Sequence, residues 1–234
     1  MNKKIKNIVL IILFSIIIIF LLNINVTTHY GRNYIVYEKQ IPLYLKITSF
    51  IDRHFQYSEL VRKITKGCSN KQEKVMVILR WVKKNIKYQP KNLPVLDDHV
   101  WYTIVRGYGV PDQFSDVFAT LCNYSGVNAW FDVIYSKDQK SKIPLSFVKI
   151  HDRLHIFDPF NGVFFENNNG ELADITEIKN GNWIPKYIKG SKNKTFDYTN
   201  YFENMHDIEE ASLTRAQIQS PLRRIQFELK RLIK

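Results

Sequence analysis

The strongest constraint on this chain is an apolar segment near its start. Residues 8–22 contain no charged side chain and a single hydroxyl, that of Ser15. With Ile24 and Val26 the segment approaches the ~20 residues that a helix needs to cross the hydrocarbon core of a bilayer. A helix that is apolar on all sides is buried in a protein core or in lipid. We therefore predict a transmembrane helix within residues 1–28.

The flanks of this segment predict its orientation. Lys3, Lys4 and Lys6 precede it without an acidic residue, which predicts a cytoplasmic N-terminus and an exported remainder on the periplasmic or extracellular side. A cleaved signal peptide starts in the same way. The exit LLNINVTTHY, however, lacks the small residues that signal peptidase prefers. We expect an uncleaved single-pass anchor, with a signal peptide as the alternative.

The charge of the chain lies mainly at its ends. The three N-terminal lysines and a basic segment at 215–234 supply most of the net charge of +12. Because little charge remains and the domain is expected to be exported, nucleic acid is not an expected partner. Two cysteines, Cys68 and Cys122, are too few for a disulfide scaffold or a four-cysteine zinc site. We expect neither a metal nor a cofactor.

Hydrophobic periodicity predicts three helices after the apolar segment. The first covers 42–67, the second begins at the capping residue Asn70 and ends before Pro90, and the third covers 111–124, with Gly126 after its end. The apolar stripe of the first helix is expected to be its buried face; it comprises Leu43, Ile47, Phe50, Ile51 and His54.

Short strands are predicted after Gly126. The segments NAWFDVIY, PLSFVKI, RLHIF and VFFE are rich in β-branched and aromatic residues and are separated by turn signals. His151-Asp152 is one such turn, and Asn161-Gly162 is the signal of a two-residue hairpin. Helices followed by an antiparallel meander predict an α+β fold, with helices packed on an antiparallel sheet.

The last residues predict a basic amphipathic helix that begins at Ser220-Pro221. It carries an apolar stripe, and the tail from Arg215 onward holds six basic residues against one acid, Glu228. Such a helix either lies on an anionic membrane surface or packs its stripe on the domain. We favour packing on the domain. The stripe comprises Leu222, Ile225, Leu229 and Leu232.

The order of these motifs resembles the transglutaminase-like superfamily, a branch of the papain-like cysteine enzymes. The resemblance covers residues 70–166 and rests on EKVMVILRWVKKNIKY, GYGVPDQFSDVFATLCNYSGVNAWF and PLSFVKIHDRLHIFDPFNG. In that family a cysteine at a helix start, a histidine on a strand and an aspartate after the next strand form a triad. The helix start favours the thiolate, and the histidine accepts its proton.

The resemblance also divides the chain. It implies a papain-like domain at 70–190, preceded by the anchor at 1–28 and a helical extension at 29–69. A C-terminal extension with the basic helix follows at 191–234.

Two of the three triad positions hold unreactive residues in this chain. The nucleophile position falls on Pro111 and the histidine position on Leu145, while only Asp158 is retained. The resemblance therefore implies a pseudoenzyme. Its expected role is that of a binding or accessory module in a bacterial cell envelope, with a surface polysaccharide or an envelope protein as partner.

Several polar residues remain candidates for a binding site. Asp112 and Gln113 begin the helix where the family has its cysteine, and backbone donors there favour an anion or a polar ligand. His99 and His155 complete this set, and Asp158, at the retained triad position, is expected in the same cleft. The alternative is that Asp112 and Gln113 only stabilise the helix start.

The alternative function is an enzyme of the same fold with another mechanism. It would be a hydrolase or acyl transferase that uses the Cys122 thiol, or Asp112 together with a histidine. We predict instead that Cys122 is buried on the apolar stripe of its helix and that Cys68 is an unpaired loop thiol. The segment Asp97-Asp98-His99 is expected to cap a helix rather than to bind metal.

Overall fold

The computed structural model describes residues 3–189, 196–203, 205–210 and 214–233. It confirms the α+β class, with helices packed on an antiparallel sheet. The N-terminal part consists of α1 (Lys3–Asn23), β1 (Asn25–Arg32), β2 (Ile35–Pro42) and α2 (Leu43–Ile64).

Helix α1 is apolar along its whole length. Residues Lys4–Asn23 have a mean hydropathy of 2.9, and none of this segment is buried inside the protein. A helix with this length and composition serves as a membrane anchor or as a signal sequence.

The extension expected at 29–69 holds the predicted helix, but a β-hairpin at residues 25–42, which the sequence does not predict, precedes it. Asn33 and Tyr34 form its turn, with positive φ angles of 49° and 68°. The tip is held by Val95, whose N–H donates to Asn33 Oδ1 (3.0 Å) and whose carbonyl accepts from Asn33 N–H (2.8 Å). Most hairpin side chains are exposed on both faces, so the sequence lacks the alternation that marks a half-buried strand.

The hairpin continues into a three-stranded sheet with β4 (Leu96–Asp97). Gly31 lies opposite Asp97, and a Cβ atom at Gly31 would lie 2.7 Å from the Asp97 Cβ. A larger residue at position 31 would therefore push the two strands apart.

Helix α2 buries a different face from the predicted one. Its buried residues are Arg53, Tyr57 and Val61, because the Tyr57 ring packs between Tyr124 and Trp101, with centroid distances of 4.9 and 5.2 Å. These rings are far apart in sequence, so local periodicity does not show which face of α2 is buried. The residues of α2 that remain exposed form their own apolar stripe, which comprises Tyr44, Ile47, Ile51 and Phe55.

The next helices follow the predicted bounds closely. Helix α3 (Lys71–Asn85) is capped by Asn70, whose Oδ1 accepts from Glu73 N–H at 2.9 Å. Strand β3 (Lys87–Tyr88) pairs in parallel with β5 (Tyr108–Gly109), and α4 (Val100–Arg106) lies between them in sequence. Helix α5 covers Pro111–Tyr124, as predicted, and Gly126 follows it with a φ of 84°.

A five-stranded antiparallel sheet forms the second half, in the order β10-β9-β8-β7-β6. One face packs on α5 through Val148 and Phe157, and the other packs on a second apolar cluster around Phe147 and Tyr198. The remaining elements are β6 (Ala129–Tyr135), β7 (Lys142–Ile150), β8 (Arg153–Asp158), β9 (Val163–Glu166), α6 (Ile175–Lys179), β10 (Ile184–Tyr187) and α7 (Thr199–Phe202).

One of the two predicted sheet turns has a different length. His151 and Asp152 form the β7–β8 turn, as predicted, with φ angles of 48° and 61°. The Asn161-Gly162 turn is not a two-residue hairpin, because Asp158 pairs with Val163 and leaves a four-residue loop. The Asp158 side chain holds this wider loop by accepting from Asn161 N–H at 2.9 Å.

The chain ends with α8 (Arg215–Gln219) and α9 (Pro221–Ile233). The predicted packing of the α9 stripe on the domain is wrong for Leu222, Ile225 and Leu229, which are exposed. Gln219 anchors the start of α9 by donating from Nε2 to the Phe50 carbonyl of α2 at 3.1 Å, so the helix is held beside the domain without burying its stripe. The Leu232 side chain and Lys234 lie outside the described residues.

The β7–β8 turn offers a test of the sheet. Two consecutive left-handed residues make a type I′ turn, for which Asn-Gly is the preferred pair. Replacing His151 and Asp152 together (His151→Asn with Asp152→Gly) should raise the free energy of unfolding by about 1 kcal/mol. Urea unfolding of the full chain in detergent measures this change, and a lower midpoint would contradict the assigned turn.

Candidate functional site

The start of α5 is the position where the sequence places a candidate site. Pro111 occupies the first helical position, after Val110 in an extended conformation. Proline fits there because its fixed φ suits a helix and its missing N–H would have no partner inside the helix. Asp112 is exposed, and its Oδ1 accepts from Gln113 N–H at 2.9 Å.

Gln113 joins the helix start to its surroundings. Its Oε1 accepts from Val110 N–H at 3.2 Å, and its Nε2 donates to the Leu96 carbonyl of β4 at 2.5 Å. Gly109 makes room for this side chain, since a Cβ atom at Gly109 would lie 2.7 Å from Gln113 Oε1. Both polar groups of Gln113 therefore stabilise the local fold.

The two strand positions of the predicted triad are neighbours in the sheet. Ser146 pairs with Phe157, so Asp158 stands opposite Leu145 at the next step of the register. Helix α5 lies against the same end of β7, where Ser115 Oγ donates to the Pro144 carbonyl at 3.3 Å. Leu145 is fully buried in an apolar cluster with Phe147.

Asp158 is enclosed by hydrogen-bond donors. Its Oδ2 accepts from the Tyr198 hydroxyl at 2.7 Å and from Asn161 Nδ2 at 2.6 Å, in addition to the bond from Asn161 N–H. Burial raises the pKa of Asp158, and these hydrogen bonds offset part of the increase. Burial and the neighbouring Asp158 carboxylate also raise the pKa of Tyr198. The Asp158 side chain thus joins the β8–β9 loop to the segment that leads into α7.

Lys83 lies near this loop. Its Nζ donates to the Phe160 carbonyl at 2.6 Å and lies 5.7 Å from the centre of the Phe160 ring. Burial lowers the pKa of Lys83, while the charge of Asp158 acts in the opposite direction. The ammonium group therefore fixes the loop from the α3 side.

The segment before α4 is expected to cap this helix, and the structure contradicts that prediction. His99 is the N-cap residue but makes no capping hydrogen bond through its side chain. Asp98 forms an ion pair with Arg106 instead (2.8 Å), and Arg106 Nη2 also donates to the Leu96 carbonyl at 3.0 Å. Burial raises the pKa of Asp98, and the Arg106 guanidinium opposes this increase.

His155 lies away from the start of α5. It is buried on β8, and its Nδ1 donates to the Ala173 carbonyl at 2.9 Å. Burial lowers the pKa of His155. Gln113 lies beside the strand before His99, through its bond to Leu96, whereas His155 faces the segment before α6. The structure therefore does not gather all four binding candidates into one cluster.

The two cysteines are free thiols in different surroundings. Cys122 is fully buried in the core, as predicted, and burial raises its pKa well above the ordinary value. Cys68 is partly exposed in an open groove of about 730 Å³ between the segment that follows α2 and the first turns of α3, which also contains His151 and Arg80. Within the described part of the chain, no group of three or more His, Cys, Asp or Glu side chains is placed to hold a metal ion.

Three residues around Asp158 were not foreseen from the sequence. The sequence places Asn161 in a turn, but it gives no signal that brings Lys83 or Tyr198 next to Asp158. The FDPFNG segment gives a local signal for Asn161, because an Asp at the start of a turn commonly accepts a hydrogen bond from a backbone N–H of that turn. Tyr198 has no comparable signal.

A family model supports the resemblance seen in the motifs. The model of the transglutaminase-like superfamily matches residues 58–186, from the second half of α2 to β10. No curated protein matches the chain.

Three solved structures are similar to this chain. They are a "putative cysteine protease" from Cytophaga hutchinsonii (18% identity, TM-score 0.41), a "putative protease" from Parabacteroides distasonis (11%, 0.37) and a protein named as a TGase (15%, 0.36). The alignments cover 60%, 57% and 58% of this chain and 49%, 35% and 43% of those chains. This chain therefore matches about half of their length or less.

The buried Asp158 carboxyl predicts a distinct pH dependence. The pKa of Asp158 is higher in the folded state than in the unfolded state, where it is about 3.9. The stabilisation by this carboxyl group is therefore complete at a pH below about 3.9 and is lost as the pH rises through the folded pKa. Asp158→Asn cannot titrate. The free energy of unfolding of this variant relative to the wild type should therefore increase as the pH rises above about 4.

Urea unfolding of the full chain in detergent, repeated across this pH range, measures the difference. Asp52→Asn changes an exposed carboxylate of α2 and should follow the wild-type curve. A constant difference between wild type and Asp158→Asn would mean that Asp158 is not held as a buried titrating group.

Proposed function

Because the chain belongs to the transglutaminase-like superfamily, we propose that it is a membrane-anchored, exported member that binds an envelope component and does not perform thiol catalysis. The observation that carries this proposal is the pair of residues at the superfamily's reactive positions. Pro111 has no group that can attack a substrate, and Leu145 cannot accept a proton.

The surroundings of the retained aspartate support the same conclusion. In a triad, the aspartate orients the histidine by accepting from its ring N–H. Here Asp158 accepts from Tyr198 and Asn161 instead. Its oxygens therefore hold the β8–β9 loop and the segment leading into α7 together.

The alternative enzyme receives little support from its two candidate groups. Cys122 is fully buried, and its raised pKa keeps the thiol neutral, whereas a nucleophilic cysteine needs the thiolate. The Asp112 carboxylate accepts from the backbone N–H of Gln113, as expected of a residue that stabilises a helix start.

The membrane part of the proposal rests on α1. Its exposed apolar surface needs lipid, and the basic residues before it favour a cytoplasmic N-terminus. The exit LLNINVTTHY lacks the small-x-small pair that signal peptidase prefers, which favours retention of the helix over cleavage. The domain would then work on the outer side of the membrane, where a surface polysaccharide or an envelope protein is available to bind.

Thiol reactivity tests the loss of catalysis. In a Cys68→Ser background, Cys122 should remain unmodified by iodoacetamide near neutral pH until the chain unfolds. Adding Pro111→Cys to the same background places a thiol at a helix start, where its pKa is lowered. That thiol should react at least about tenfold faster than Cys122.

Mass spectrometry of the intact protein follows both reactions over time. Val105→Cys, at an exposed position of α4, gives the rate of an ordinary surface thiol. Rapid modification of Cys122 in the folded chain would contradict its assignment to the core and favour the thiol enzyme.

Activity and binding can be compared on the same sample. The full chain in detergent should give no product above background with a glutamine peptide and a primary amine, or with a peptidase substrate. It should bind surface polysaccharide purified from the cells that naturally produce this protein. Asp112→Ala should weaken this binding, whereas Glu171→Ala, at an exposed position remote in sequence from α5, should not.

The outcomes separate the two functions. Product formation that is abolished by Cys122→Ala or Asp112→Ala would establish the alternative enzyme. Absence of polysaccharide binding would overturn that choice of ligand, and binding unaffected by Asp112→Ala would remove α5 from the binding site.

A further inference from the structure

Helix α9 presents an apolar stripe away from the domain. Leu222, Ile225 and Leu229 are 75%, 57% and 53% exposed and lie on one face at i, i+3 and i+7. Phe227 lies on the opposite side of the helix and is partly buried. The side of α9 that is nearer the protein is therefore the one without the stripe.

Basic residues flank this stripe. Arg223 and Lys230 lie beside it on the helix surface, and both are exposed. Arg224 lies on the other side of the stripe and Arg231 on the far side of the helix, and both pair with Glu228, at 2.5 and 3.6 Å. An apolar face bordered by cationic side chains is the arrangement of helices that lie in the interface of an anionic bilayer.

The fold holds α9 close to the point where the chain leaves α1. Ile24 follows α1 directly, and its carbonyl accepts from Leu43 N–H at the start of α2 (2.9 Å). Gln219 binds the carbonyl of Phe50, which lies about 10 Å further along α2. Helix α9 therefore begins within a short distance of the end of the apolar helix.

Helix α2 carries a second exposed apolar stripe in this region. Tyr44 and Ile47 belong to its first two turns, and Ile51 continues the same face. Exposed apolar residues thus occur on α2, which contacts α1, and on α9, which is joined to α2, and this agrees with a lipid surface beside them.

We propose that α9 binds the surface of the membrane that holds α1, with its apolar stripe in the interface and Arg223 and Lys230 at anionic headgroups. This proposal rests on the proposed function only in that α1 is an uncleaved anchor. A second copy of the chain is a less suitable occupant, because two α9 stripes placed together would bring their flanking positive charges close to each other.

A fluorescent probe on α9 tests the proposal in the full chain. The probe is attached to Leu229→Cys on the stripe or to Arg231→Cys on the far side, each in a Cys68→Ser background, with Cys122 enclosed in the core. The chain is reconstituted in vesicles of phosphatidylcholine with or without phosphatidylglycerol. The probe at position 229 should report an apolar environment only with phosphatidylglycerol, and the probe at 231 should remain in water.

Removal of charge gives a quantitative test. Each basic residue near an anionic surface contributes about 1 kcal/mol, which corresponds to about a fivefold change in an equilibrium. Adding Arg223→Gln and Lys230→Gln should therefore lower the ratio of lipid-exposed to water-exposed probe about 25-fold. High salt should also lower this ratio, because salt screens the attraction between the basic side chains and the headgroups.

Two outcomes would overturn the proposal. One is a water-exposed probe at position 229 in phosphatidylglycerol vesicles. The other is a shift that depends on protein density rather than on lipid charge, which would indicate a second copy on the stripe. Alkaline carbonate extraction and the intact mass of the same sample report on α1. A retained α1 with a water-exposed probe would reject only the role of α9, whereas loss of α1 would reject the anchor.

Discussion

The fold depends on one helix whose middle is buried on every side. All residues of α5 from Phe114 to Cys122 are buried, so this helix needs cover from all directions. Helices α2, α3 and α4 contact it together with strands β6 and β7, and α8 also reaches it. The start of α5 is therefore placed by packing along the whole helix. It stays against the end of β7 whatever residue stands at position 111.

This arrangement explains how the fold can persist with altered residues at the triad positions. A proline at the first position of a helix gives up no hydrogen bond within the helix. A leucine on β7 adds apolar contacts to the cluster around Phe147. The buried carboxylate of Asp158 remains satisfied because Asn161 and Tyr198 donate to it. On the function proposed above, the three positions contribute to stability without a catalytic role.

Local signals predicted much of this structure, and long-range contacts account for the rest. The bounds of α3 and α5 follow from their periodicity, from the Asn70 cap and from Gly126, all of which act within a few residues. The buried face of α2 depends on Tyr124, far away in sequence. The partner of Asp158, Tyr198, is equally distant, and the orientation of α9 depends on which domain surface is already covered. The sequence does not predict the hairpin, because neither of its faces is buried and its residues therefore do not alternate between apolar and polar.

The hairpin between α1 and α2 also acts as a spacer. Its base lies where Ile24 meets Leu43, and its tip lies at Val95, beside the strand that Gln113 contacts. Strands of eight residues at about 3.3 Å per residue span roughly 26 Å. The headgroup layer of a bilayer is only about 6–7 Å thick on each side. A hairpin that stands upright on an anchored α1 would lift the start of α5 beyond the lipids, out of reach of their headgroups.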